Sequence, residues 1–72
     1  MKVQFILNDI IYTMNLSEWV KTIAQLKNSI INDKNDYTFS KLQLTFEEND
    51  IIYEPYDTDL IQNIQYNVII MS

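Results

Sequence analysis

Seventy-two residues with a net charge of −5 and no cysteine, histidine or glycine make one small domain spanning residues 1–72. The missing cysteine excludes a disulfide framework and thiolate chemistry, and the missing histidine removes the commonest general base and neutral metal ligand. A chain this short buries only about 60% of its unfolded surface, so a stability on the order of 3–5 kcal/mol is expected.

The charge is lopsided. Residues 1–41 carry all five lysines against four acids, whereas residues 42–72 carry six acids and no base. Phosphate binding needs clustered Lys or Arg, and this chain has no arginine at all. Direct nucleic-acid binding is therefore not expected, and a protein partner with a basic surface is. No apolar run approaches the ~18 residues of a membrane span. Met1-Lys2-Val3-Gln4 is too polar and alternating for a signal peptide. Cytoplasmic residence without a membrane partner is the expectation.

Along the chain, Val3, Phe5 and Leu7 alternate with Lys2, Gln4 and Ile6, the period of a strand. Asn8-Asp9 can enter the left-handed conformations of a two-residue primed turn, and Ile10 to Met14 then returns as a second strand. That turn sets Leu7 against Ile10, Phe5 against Tyr12 and Val3 against Met14 on one apolar face. Gln4–Thr13 and Ile6–Ile11 fall on the other. Asn15-Leu16-Ser17-Glu18 next offers an N-cap and capping box, with Met14 and Trp19 as the flanking staple. Leu16, Trp19, Val20, Ile23, Leu26, Ile30 and Ile31 recur at helical spacing. They predict a helix ending near Ile31, with Asn32 as its left-handed C′ residue and Trp19 in the core.

Leu42, Leu44 and Phe46 alternate with Gln43 and Thr45 as a third strand. Tyr37 and Phe39 lie in the opposite phase, which calls for a bulge near Ser40 or for two rings capping the core from a loop. Glu47-Glu48-Asn49-Asp50 is a turn. Ile51-Ile52-Tyr53 is a short strand stopped by Pro55, and Asp57-Thr58-Asp59 caps a helical turn through Leu60, Ile61 and Gln62. Ile64, Tyr66, Val68 and Ile70 mark the last strand. Its second phase turns apolar at Ile69 and Met71, which places it centrally in the sheet.

These elements predict an α+β fold: a small mixed sheet with one main helix on one face, ordered ββαββ, a short helical turn, then β. The order resembles the β-grasp of ubiquitin-like proteins over nearly the whole chain. Leu42-Gln43-Leu44-Thr45-Phe46, the turn after it, and the spacing from Leu60 to Val68-Ile69-Ile70 carry the resemblance. Conjugated members and sulfur carriers of that fold end in Gly-Gly. This chain ends Ile70-Met71-Ser72, so the resemblance does not extend to conjugation. It implies docking through the open sheet face, where Ile6, Ile11, Ile69 and Met71 gather if the first and last strands pair. Such a surface suits an adaptor similar to the non-conjugated ubiquitin-like components of bacterial secretion systems, or self-association into a homodimer.

The second candidate surface is the segment from Glu47 to Asp59. Glu47, Glu48, Asp50, Glu54, Asp57 and Asp59 hold the charge imbalance, and Tyr53 and Tyr56 add rigid contact area. Carboxylates so placed suit a Lys/Arg-lined cleft where phosphates would otherwise sit. The same acids also serve as a solvated edge that discourages aggregation. They lack the ligand spacing, turn glycine and terminal Glu of a calcium loop. Paired-carboxylate hydrolysis needs a cleft, and no serine has a base beside it. No metal, cofactor or catalysis is expected. In size and charge the chain resembles small acidic phage or mobile-element inhibitors, anti-CRISPR proteins among them. That resemblance implies a nucleic-acid-binding host protein as partner.

Overall fold

The computed structural model describes residues 1–34 and 41–71. Its elements are β1 (Lys2–Leu7), β2 (Ile10–Asn15), α1 (Ile23–Lys34), β3 (Lys41–Glu48), β4 (Ile51–Tyr53) and β5 (Gln65–Met71). The five strands form one mixed sheet in the order β2-β1-β5-β3-β4. The β1–β5 pair is parallel and the others antiparallel. This is the expected α+β, β-grasp-like arrangement, with β5 at its centre.

Both hairpins turn on the dipeptide Asn-Asp. Asn8 and Asp9 have φ of 53° and 63°, and Asn49 and Asp50 have 54° and 65°. A primed turn needs positive φ at both central residues. In a chain without glycine, Asn and Asp reach that region at least cost. The first turn fixes the expected register, with Val3 opposite Met14, Phe5 opposite Tyr12, and Leu7 opposite Ile10.

The period-2 alternation sends Val3, Phe5, Leu7, Met14, Leu42, Leu44, Tyr66 and Val68 into the core beneath α1. From the helix and its flanking loops come Leu16, Ile23, Leu26, Ile30 and Ile61.

The helix begins later than its apolar period predicts. Residues 16–22 form a loop with a turn at Glu18–Trp19, closed by the Val20 N–H donating to the Ser17 carbonyl at 3.0 Å. The N-cap is Thr22, not Asn15. Gln25 Oε1 accepts the Thr22 N–H at 3.0 Å, and the Gln25 N–H donates to Thr22 Oγ1 at 3.4 Å, the reciprocal bonds of a capping box. Trp19 therefore leaves the helical stripe and is 75% exposed rather than in the core. At the other end the helix runs through Asn32 to Lys34, past the expected stop at Ile31. The expected bulge near Ser40 and the rings of Tyr37 and Phe39 lie outside the described residues. In place of the helical turn before β5 there is a turn in which the Asp59 N–H donates to the Tyr56 carbonyl at 3.0 Å.

Candidate functional site

The acidic segment enters at the C-terminal end of β3, rounds the Asn49-Asp50 turn, follows β4 and returns along residues 54–62. Its hairpin register sets Phe46 opposite Tyr53, Glu47 opposite Ile52 and Glu48 opposite Ile51. Alternation then divides the acids. Glu48 shares the helix-side face with Phe46, whereas Glu47 lies on the outer face of the sheet. Asp50 sits at the hairpin tip. All six carboxylate residues are exposed.

Beside β4 the return segment closes a groove of about 700 Å³. Tyr53, Glu54, Tyr56 and Asp59 line it, together with Phe46, Pro55 and Tyr66. Phe46 and Tyr53 stack with centroids 5.3 Å apart, and Tyr66 meets Phe46 edge-on at 6.1 Å, both preferred aromatic geometries. Tyr66 is buried and its hydroxyl accepts the Gln62 N–H at 3.0 Å. Burial raises its pKa above 10.0, the Gln62 hydrogen bond opposes that, and the Asp59 charge adds to it. Tyr56, by contrast, is 78% exposed at the rim.

Two anchors fix the groove's outer wall. The Tyr56 N–H donates to Asp59 Oδ2 at 2.8 Å, which folds the turn upon itself. The carbonyls of Asp57 and Asp59 accept the Ala24 and Ile23 N–H groups at 3.0 and 2.9 Å, satisfying two donors at the first turn of α1 that have no partner within the helix. Lys27 Nζ reaches Asp57 Oδ1 at 2.7 Å, so Asp57 is committed to the fold. Among the described residues no base lines the groove.

Tyr53, Glu54, Tyr56 and Asp59 are thus brought together, Glu48 and Asp50 extend their surface to the hairpin tip, and Glu47 and Asp57 stand apart. Sequence reasoning did not single out Phe46, Pro55 and Tyr66 as groove walls. The Asn49-Asp50 turn carries the signal for Phe46, because a two-residue loop there places it opposite Tyr53.

The second candidate surface is less continuous. Ile6 and Ile11 are direct cross-strand partners. Asn67 occupies the next position on β5, opposite Ile6. Ile69 lies one step beyond it, paired with Gln43, and is 46% exposed. Asn67 and Gln43 therefore interrupt the apolar face. Met71 pairs with Lys41 at the end of β5, and its side chain lies outside the described residues.

Among the described residues no helix is long and apolar enough to cross a membrane, and no three carboxylates converge as a cation cage requires. No protein-family model matches the chain, and neither a curated protein nor a solved structure is significantly similar to it.

Proposed function

We propose that this is a non-catalytic binding protein whose acidic, aromatic groove occupies a basic, nucleic-acid-binding cleft of a host protein and so inhibits it. One observation carries the reading: a groove walled by stacked rings and rimmed by Glu54 and Asp59, with no base among the described residues that line it. Guanidinium and ammonium groups are drawn both to carboxylates and to ring faces, at about 0.5–2 kcal/mol for each ring contact. The exposed charges of Glu48 and Asp50 speed encounter with a positive surface and fix its orientation. The partner's chemistry follows: a Lys/Arg-lined cleft for which carboxylates stand in for phosphates.

The test is affinity capture from host lysate with tagged protein, followed by elution with competing nucleic acid or with rising salt. Release by both is expected, since contacts between exposed charges weaken once the Debye length falls from about 10 Å at 0.1 M to about 3 Å at 1 M salt. A chain carrying Glu47→Gln, Glu48→Gln, Asp50→Asn and Glu54→Gln is expected to capture nothing while remaining folded. Undiminished capture by that variant removes the proposal. Capture that resists high salt and is lost in Ile69→Lys assigns binding to the sheet face instead.

A further inference from the structure

The groove beside β4 gathers three kinds of group that the fold leaves open. The first is its acids. Among the described residues the Glu54 side chain has no ion pair and no hydrogen bond. Asp59 Oδ2 is held by the Tyr56 N–H at 2.8 Å, which fixes the carboxylate and leaves Oδ1 unbonded among the described residues. The second is a phenol. Tyr66 is 1% exposed, and its hydroxyl accepts the Gln62 N–H at 3.0 Å. A hydroxyl also has a proton to donate, and among the described residues nothing accepts it. The third is a flat wall. The Phe46 and Tyr53 rings lie 20° from parallel, and Tyr53 is 42% exposed.

We propose that the groove receives an arginine side chain carried on a peptide segment of the partner protein, in preference to lysine. The inference rests on the binding reading above and narrows it to one residue type. Charge selects a cation. An anion would meet Glu54 and Asp59, and a neutral apolar group would desolvate the Asp59 carboxylate without pairing it. The unmet Tyr66 proton selects a peptide over a metal ion or a free ammonium ion, because a main-chain carbonyl accepts it and neither of those can. The groove's volume of about 700 Å³ gives room for the side chain and the main chain that bears it. The rings select arginine. A guanidinium is planar, stacks on aromatic faces and sheds its hydration more readily than an ammonium group. With its plane against the rings, its edge still carries donors for Asp59 Oδ1.

The probes are the tripeptide acetyl-Gly-Arg-Gly-amide and its lysine counterpart, which carry the same single charge. Each is titrated into isotope-labelled protein and followed by amide shifts in NMR. The arginine peptide is expected to move the amides of Tyr53, Tyr56 and Gln62 saturably. It is expected to bind about fivefold tighter than the lysine peptide, the order of one cation–π contact. Asp59→Asn keeps an oxygen for the Tyr56 N–H, and it is expected to weaken the arginine peptide about tenfold through the lost charged hydrogen bond. Glu54→Gln, whose side chain holds nothing in the fold, is expected to weaken it about threefold and does not depend on the turn. Equal or tighter binding of the lysine peptide overturns the proposal. So does the absence of a saturable shift at those amides, or unchanged affinity in both variants. No captured partner enters the titration, so the two readings fail separately. Capture that is lost on neutralising the acids, with no arginine preference here, retains the acidic surface and overturns the arginine alone.

Discussion

Ile23 donates its backbone N–H to the carbonyl of Asp59 at 2.9 Å, so the start of the helix and the floor of the acidic loop are one structure. The neighbouring bond from Ala24 to Asp57 and the short antiparallel bridge between Thr22 and Leu60 extend the joint. Groove geometry therefore depends on where the helix begins, and the Thr22–Gln25 capping box sets that point.

Gln25→Ala removes the side-chain acceptor of the Lys21 and Thr22 N–H groups and is expected to cost about 1 kcal/mol. Glu18→Ala removes no cap and is expected to stay within about 0.5 kcal/mol of wild type. Urea denaturation of the two variants compares them directly. A larger loss for Glu18→Ala would mean that the helix starts near Asn15.

Trp19 offers an independent check on the same boundary. Standing 75% exposed, it should emit much as it does in the unfolded chain and be quenched readily by iodide. Trp19→Ser should change stability by no more than about 0.5 kcal/mol, against the about 3–5 kcal/mol lost when a core tryptophan is truncated. A strong red shift of its emission on unfolding would place Trp19 in the core after all.

The reach of the sequence follows from how local each determinant is. The β1–β2 register was legible because Asn8-Asp9 permits only a short primed turn and the alternation of Val3, Phe5 and Leu7 has a single phase. The central place of β5 was legible because Val68, Ile69 and Ile70 are apolar in both phases. The helix start was not. Leu16 and Val20 continue the apolar period of Ile23, Leu26 and Ile30, and periodicity alone does not mark a boundary. Two capping boxes compete within this stretch. What favours Thr22 is a set of bonds to carbonyls more than thirty residues away. The groove was half legible for a like reason: its acids and tyrosines are contiguous in sequence, but Phe46 and Tyr66 join them only through strand pairing.

The buried phenol of Tyr66 links stability to alkaline pH. Its pKa is raised in the folded state, chiefly by burial. The folded chain therefore holds the proton at pH values where the unfolded chain has released it. Stability contributed by the neutral phenol is fully present below pH 10.0, and it is lost as pH rises through the folded-state value. Tyr66→Phe should flatten this alkaline loss, at a cost near neutrality of about 0.5–1.5 kcal/mol for the Gln62 hydrogen bond. Denaturation midpoints measured from pH 8 upward test it, the range being set by the ordinary tyrosine pKa of about 10. An equally steep alkaline loss in Tyr66→Phe would assign the dependence to another group.

Two of the groove's three tyrosines, Tyr53 and Tyr56, separate binding from folding. Tyr56 is 78% exposed and holds its turn through backbone atoms, so Tyr56→Ala should leave stability within about 0.5 kcal/mol of wild type. Tyr53 stacks on Phe46, and Tyr53→Ala should cost about 1 kcal/mol or more through the lost ring pair and burial. If the groove receives cationic side chains, both variants lose affinity for the captured partner. A rim tyrosine acting as an interface anchor would account for about 2 kcal/mol, roughly thirtyfold in Kd. Titration calorimetry against that partner, beside urea denaturation of the same proteins, reads the two effects separately. Unchanged affinity in a stably folded Tyr56→Ala protein would leave the groove without a role in binding, and the exposed carboxylates would have to act alone.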